Sequence, residues 1–265
     1  MALSPTSPAT QTAQPETVAL FVSDLHLSES MPATTAAFFA FLRDQASRTQ
    51  ALYLLGDVFE YWAGDDDLDT PFHQAIINAI AALQAQGVAV FWLAGNRDFL
   101  VGSDFATACG LTLLAEPFVA TLAGQRVLLV HGDAQCTDDL AYMGFREQVR
   151  DPSWQRAFLA QPLAERKALI ARMREGSRDA LRDKPMAIMD VNPQAIAQLF
   201  DAHGVTTMIH GHTHRPAYHA TQSPHGQRRR YVLPDWDYDT ILPSARRGGW
   251  LQLSASGDLQ FVTPH

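Results

Sequence analysis

Three short apolar runs in the first hundred residues each end in a polar corner. Val18-Ala19-Leu20-Phe21-Val22 leads into Ser23-Asp24-Leu25-His26, Ala51-Leu52-Tyr53-Leu54-Leu55 into Gly56-Asp57, and Val88-Ala89-Val90-Phe91-Trp92-Leu93 into Gly95-Asn96-Arg97-Asp98. Between them, residues 34–47 carry Phe38, Phe39, Phe41 and Leu42, and residues 71–86 carry Ile76, Ile77, Ile80 and Leu83, at the spacing of amphipathic helices. β-branched and aromatic runs alternating with helices predict a sheet covered by helices. In such sheets, sites form outside the carboxyl ends of the strands, where all three corners fall.

Further along, residues 111–116 and 118–122, the turn Ala123-Gly124-Gln125 and residues 126–130 predict strands, the last two joined as a hairpin that ends at His131-Gly132-Asp133. Residues 204–210 lead to Gly211-His212-Thr213-His214-Arg215-Pro216, and residues 230–233, 249–253 and 259–262 read as closing antiparallel strands. The expected fold is α/β, a layered α/β/β/α sandwich built from residues 17–134 and 193–265. Residues 135–192 interrupt it as a helical insertion cap. Residues 1–16, rich in Ser, Thr, Pro, Ala and Gln, read as a disordered lead-in.

Each corner taken alone also reads as turn chemistry, and a His-x-His pair in a strand can put two rings on one solvated face. Together the corners place Asp24, His26, Asp57, Asn96, His131, His212 and His214 at strand ends on one rim. Carboxylates and an amide mixed with imidazoles suit Mn²⁺, Fe²⁺ or Zn²⁺. Seven ligands exceed what one small cation takes, and they suit two. His73, His203, His210, His219, His225 and His265 lie outside these positions and read as structural or surface residues. No Gly-x-Ser-x-Gly elbow supplies a protein nucleophile.

The formal net charge of −8 argues against broad nucleic-acid binding. Cys109 and Cys136 form no metal or redox spacing and suggest a reducing compartment. No apolar run approaches the ~18 residues of a membrane span. Ten of the twenty Lys and Arg residues fall between Arg146 and Lys184, interleaved with Trp154, Phe158, Leu159, Leu163, Leu169, Ile170 and Met173. Two readings stand: a helical lobe whose apolar face packs on the core, or a cap whose apolar face holds acyl chains and whose cations meet phosphate and an anionic membrane surface. Asp65-Asp66-Asp67 reads as a solvated acidic loop or as a metal feeder. Arg228-Arg229-Arg230 reads as a basic hairpin edge or as a contact for anionic lipid.

The ordered set Asp-x-His, Gly-Asp, Gly-Asn, His and Gly-His-x-His, spanning Asp24 to His214, resembles the calcineurin-like metallophosphoesterase superfamily. The resemblance implies a two-metal site in which Asp57 bridges both ions. Asp24, His26 and His214 would complete one, and Asn96, His131 and His212 the other. Two cations about 3.5 to 4 Å apart activate water for in-line phosphoryl displacement. On this reading Asp57, Asn96, Arg97 and His131 form the catalytic centre.

Arg97 stands where many members carry a histidine able to protonate an alkoxide. Arginine stays charged and can only clamp phosphate, which favours a leaving group that departs without a proton, as in a pyrophosphate. Gly56-Asp57-Val58-Phe59-Glu60-Tyr61-Trp62, Gly95 to Leu100, His131-Gly132-Asp133 with Cys136-Thr137-Asp138-Asp139, and Ala187 to Asn192 resemble the branch that cleaves UDP-2,3-diacylglucosamine in lipid A biosynthesis. That resemblance implies attack by water on the α-phosphorus, usually with two Mn²⁺ ions, to give UMP and 2,3-diacylglucosamine 1-phosphate. It also implies substrate contacts from Asn96, Arg97, Asp139, Tyr142, Ser177, Lys184 and His212, with Leu181 where a polar amide is expected. The expected partners are the UDP-linked diacylated glucosamine and the anionic cytoplasmic face of the inner membrane, met peripherally by a monomer.

Overall fold

The computed structural model describes residues 17–182 and 190–264, with only the backbone described over 175–182. The expected lead-in and Lys184 lie outside the described residues, as do the side chains of Ser177 and Leu181. Two sheets stack face to face. The first is six-stranded in the order β11-β10-β1-β2-β3-β4, formed by Leu259–Val262, Trp250–Ser254, Thr17–Val22, Ala51–Leu55, Ala89–Leu93 and Thr112–Leu114. The second is five-stranded in the order β5-β6-β7-β9-β8, formed by Phe118–Leu122, Gln125–Leu129, Thr207–His210, Gly226–Val232 and Ala217–Ser223.

Strand alternation builds the layers. Phe21, Tyr53, Leu55 and Leu93 of the first sheet meet Val127, Leu129, Ile209 and Tyr231 of the second. Their neighbours Leu20, Val22, Leu52 and Leu54 point the other way, under α1 (Pro32–Asp44), α2 (Pro71–Ala85) and α3 (Ser103–Cys109). Leu128, Val130 and Met208 of the second sheet face Ile196 and Phe200 of α7 (Pro193–His203). Central strands apolar on both faces are what two covered sheets require, and the expected α/β/β/α sandwich is what forms.

The helices start where local chemistry starts them. Thr70 accepts from the His73 N–H with Pro71 in the first turn of α2, and Asn192 accepts from Gln194 and Ala195 ahead of α7 with Pro193 in its first turn. α1 has no side-chain cap of its own, and the Asp239 carboxylate supplies one by accepting from the N–H groups of Ala33 and Thr34, each at 2.9 Å. The hairpin strand β8 was not expected from the sequence. Its presence makes β9 an interior strand between β7 and β8, so Arg228-Arg229-Arg230 is not a sheet edge.

Between β6 and α7 the chain forms α4 (Leu140–Arg150), α5 (Pro152–Leu159) and α6 (Leu163–Arg182). Phe158 is buried in the same core as α1 and α2, with Trp154, Leu169 and Ile170 packed against it. Five basic side chains of these helices turn inward, whereas Arg156 and Arg172 are exposed. Arg146 reaches Asp133 and Glu116, Arg150 donates to the Gly95 carbonyl, Lys167 pairs with Asp67, Arg174 with Glu60, and fully buried Arg166 with Asp66 and the Ala63 carbonyl. The Asp65-Asp66-Asp67 run is therefore not simply a solvated loop: Asp66 is more than half exposed, but Asp67 is buried and all three carboxylates have protein partners. Asp65 caps α3 by accepting from Gly102, Asp104 and Phe105, and its two neighbours hold α6.

Candidate metal centre and the cavity beside it

The five corners interlock through their backbones. Asp24 N–H donates to the Gly56 carbonyl and His26 N–H to that of Asp57, each at 3.0 Å, while Gly211 N–H donates to the His131 carbonyl at 2.9 Å. The glycines of the motifs mark where one corner lies against another. A Cβ on Gly95 would strike the Asp57 carboxylate, and one on Gly211 would strike the Asp24 carboxylate and the Ser23 hydroxyl.

Two clusters result, one of Asp24, His26 and His214 and one of Asp57, His131 and His212, with one donor atom from each residue lying within 4.8 Å of the others in its cluster. In the first, His26 Nε2 is 3.2 Å from His214 Nε2, which is 3.4 Å from Asp24 Oδ1. Asp57 stands between the clusters, with Oδ2 4.0 Å from His26 Nε2 and Oδ1 3.6 Å from His131 Nε2. Asn96 joins the second through Oδ1, 3.0 Å from His131 Nε2.

The other nitrogen of three imidazoles faces an oxygen, which turns Nε2 toward the clusters. His131 Nδ1 lies 2.9 Å from the Leu55 carbonyl, His26 Nδ1 2.9 Å from Glu60 Oε2, and His214 Nδ1 3.4 Å from Asp235 Oδ2. The His212 ring packs between those of His131 and Tyr142. Asp98 is fully buried and binds the second and third corners together, accepting from Gly95 and Val58 N–H at 2.8 Å each. Burial, and then the Asp57 charge, push its carboxyl up to about 6.

The residues fit divalent cations. Asp24 Oδ1 is buried and accepts no hydrogen bond, although its partner Oδ2 accepts from Ser23 and from the His212 N–H. Burial works against the charged form of Asp24, yet the imidazoles of His214, His131 and His26 hold its carboxyl well below the usual range. Burial also disfavours charge on His131, but Asp57, Asp24, Asp133 and Glu116 push it up to about 9. Like carboxylates gathered around an uncompensated space are the field a cation satisfies. Burial and the neighbouring His131 push His212 down to about 4, keeping it neutral and able to donate a lone pair.

The sequence that forms these clusters matches a known family. The profile of the calcineurin-like phosphoesterases matches residues 18–216. The chain belongs to that family. It is 52% identical over 221 residues to the UDP-2,3-diacylglucosamine hydrolase of Aromatoleum aromaticum, covering 83% of this chain and 90% of that one. It is 48% identical over 239 residues to the protein of the same name from Cellvibrio japonicus, covering 90% and 95%. To the one from Serratia proteamaculans it is 50% identical over 217 residues, covering 82% and 90%.

Beside the clusters a cavity of about 420 Å³ opens between the family core and α4–α6. Asn96, Arg97 and Tyr142 line it at the metal end, and Phe99, Phe145 and Met173 are among its apolar walls. Asp139, expected to contact substrate, is buried and caps α4 by accepting from the Tyr142 N–H, and is not among the lining residues. Tyr142 donates its hydroxyl to Asp133 at 2.7 Å, so Asp133 orients it together with Arg146. Reading the sequence for ligands passed over the carboxylates behind them. Glu60, Asp98 and Asp133 sit inside the motifs and could have been found there, whereas Glu116 and Asp235 carry no local signal.

Proposed function

We propose that this chain hydrolyses the pyrophosphate bond of UDP-2,3-diacylglucosamine, releasing UMP and 2,3-diacylglucosamine 1-phosphate. The observation that carries the reading is the largely apolar cavity that reaches Asn96 and Arg97 beside the paired clusters. Its size falls in the range of ligand pockets, ~300–1,000 Å³, and a phosphoesterase of nucleotides alone has no use for it. The names of the relatives point the same way.

In this reading Asp24, His26, Asp57 and His214 hold one cation and Asp57, Asn96, His131 and His212 the second, with Mn²⁺ as the expected metal. Such cations would supply an activated water and offset the charge that develops on the α-phosphorus. Arg97 clamps the phosphates beside Asn96, and its fixed charge suits a sugar phosphate that leaves as an anion without a proton donor. Tyr142, held by Asp133, borders the path between the clusters and the cavity. Phe99, Phe145 and Met173 receive acyl chains and exclude water from them. An acylated substrate is met at a bilayer surface, so the reading includes peripheral contact with the anionic inner leaflet. No described helix is long and apolar enough to cross a membrane.

The test is release of UMP from UDP-2,3-diacylglucosamine with added Mn²⁺, compared with UDP-N-acetylglucosamine and an aryl phosphodiester, with Asp57→Ala as control. Preferential turnover of the acylated compound, abolished in the control, is the expected result. Equal rates on all three would leave a two-metal phosphoesterase and remove the lipid assignment.

A further inference from the structure

A second, smaller cavity of about 150 Å³ lies between α7 and the β8–β9 hairpin, on the outer face of the second sheet and away from the large cavity. Its floor is apolar, with Ile196 and Phe200 contributed by α7. Its wall is basic. Arg228 and Arg230 of β9 line it together with Thr221 and His219 of β8, their direct cross-strand partners. Alternation sends Arg229 to the opposite face, where it donates to Gln125 and Thr207 at 2.9 Å each.

Arg230 is half-buried, and among the described residues no carboxylate lies within ion-pair distance of it. Its Nη1 donates to His210 Nε2 at 3.0 Å. Asp190, whose charge reaches it, is bonded to Arg215 at 2.8 Å. Arg228 stacks over the Phe200 ring and pairs with Asp201, an acid more than half exposed to water. A guanidinium withdrawn from water without a counter-charge is unfavourable, and burial pushes Arg230 below its ordinary value. Two guanidinium groups above an apolar floor offer donors, charge and space together.

We propose that this cavity is an anion-binding site for a phosphate-class group, seated between Arg228 and Arg230 with His219 at its rim. The site does not depend on the catalytic reading. Arg230 ties it to the metal centre all the same: arginine can only donate, so His210 Nε2 accepts, and Nδ1–H donates to the Gly211 carbonyl at 2.8 Å, one residue before His212. His210, read from the sequence as a bystander, is the link between the two.

Anomalous diffraction from crystals of the full-length, metal-loaded protein soaked in selenate locates the anion directly. A peak between Arg228 and Arg230 is expected, and peaks confined to the metal centre and Arg97 would overturn the proposal. In solution, calorimetric titration with inorganic phosphate should resolve a class of site that Arg230→Gln weakens at least tenfold while the metal-centre class is kept. An unchanged isotherm would sink the idea. Arg228→Gln, on the same wall of the cavity, repeats the test if Arg230→Gln does not fold. Vesicles of phosphatidylglycerol against phosphatidylcholine separate the sources. Arg230-dependent capture by the anionic vesicles assigns the site to a lipid headgroup, and Arg230-dependent phosphate binding without such capture assigns it to a free anion.

Discussion

Asp24, His26, Asp57, His212 and His214 all stand at positive φ, between 48° and 68°, where an L side chain is strained. Among the described non-glycine residues only Ala123, in a hairpin turn, shares that conformation. The strand-end corners curl left-handed so that ligands from separate strands converge, and the interlocked backbone hydrogen bonds hold them there. Replacing His214 tests this, because its side chain is 40% exposed and its loss leaves little cavity. In chelator, His214→Gly is expected to be more stable than His214→Ala by about 1 kcal/mol, read by urea unfolding, while both lose a metal. A second consequence concerns protons. His131, pushed up to about 9 in the metal-free protein, must lose its proton to ligate. Metal affinity should therefore rise with pH until about 9 and fall below it, by about tenfold per pH unit from this group. Calorimetry in buffers of different ionisation enthalpy would show the proton release; uptake, or none, would contradict the charge state assigned to His131. The members of the two clusters were legible because they occupy fixed places in short motifs. The left-handed corners were not, since nothing in Asp24 or His26 as a residue type announces positive φ.

The elements that build the core were legible for the same reason that they are stable. Strands apolar on both faces and helices with Pro at the first turn specify themselves locally, and α1 and α2 formed within a few residues of their expected bounds. What escaped was chemistry between elements. The acidic run at 65–67 looked like a solvated loop because its partners lie about a hundred positions away, on α6. The junction is graded by burial. Arg166 is 1% exposed and donates to three groups, including the carbonyls of Ala63 and Gln161, whereas Lys167 is 35% exposed and makes one ion pair. Arg166→Met should therefore destabilise by on the order of 3 kcal/mol, through carbonyls left buried and unpaired. Lys167→Ala should cost less than that, because its side chain is a third exposed and water reaches the pair, although it leaves the buried Asp67 carboxylate without this partner. Thermal unfolding of the two variants decides between a buried clasp and a surface decoration, which would give equal, small shifts.

At the scale of the whole molecule, helices α4–α6 serve two ends that the sequence left as alternatives. Phe158 packs into the core and also borders the open cavity that Phe145 and Met173 line, so the apolar residues of the three helices both anchor the lobe and line a chamber. Spacing alone cannot separate these roles, because an apolar residue at a helical position is the same whether its neighbour across the gap is a core side chain or a ligand. The gap itself separates them. Met173 sits on α6 beside Arg174, which reaches back to Glu60 and so to His26, and a larger side chain at 173 would fill the chamber from its apolar wall. Met173→Trp is therefore expected to raise KM for the diacylated substrate by roughly 10–200-fold, the range that a displaced hydrophobic contact commands. Metal affinity and turnover of a small aryl phosphodiester should stay unchanged. A matching loss on both substrates would mean that the substitution had moved α6 and its Arg174–Glu60 contact, and the chamber would lose its claim to specificity. An unaltered KM for the diacylated substrate would place the acyl chains elsewhere. The three outcomes differ in which substrate responds, so the experiment reads the chamber separately from the centre it opens onto.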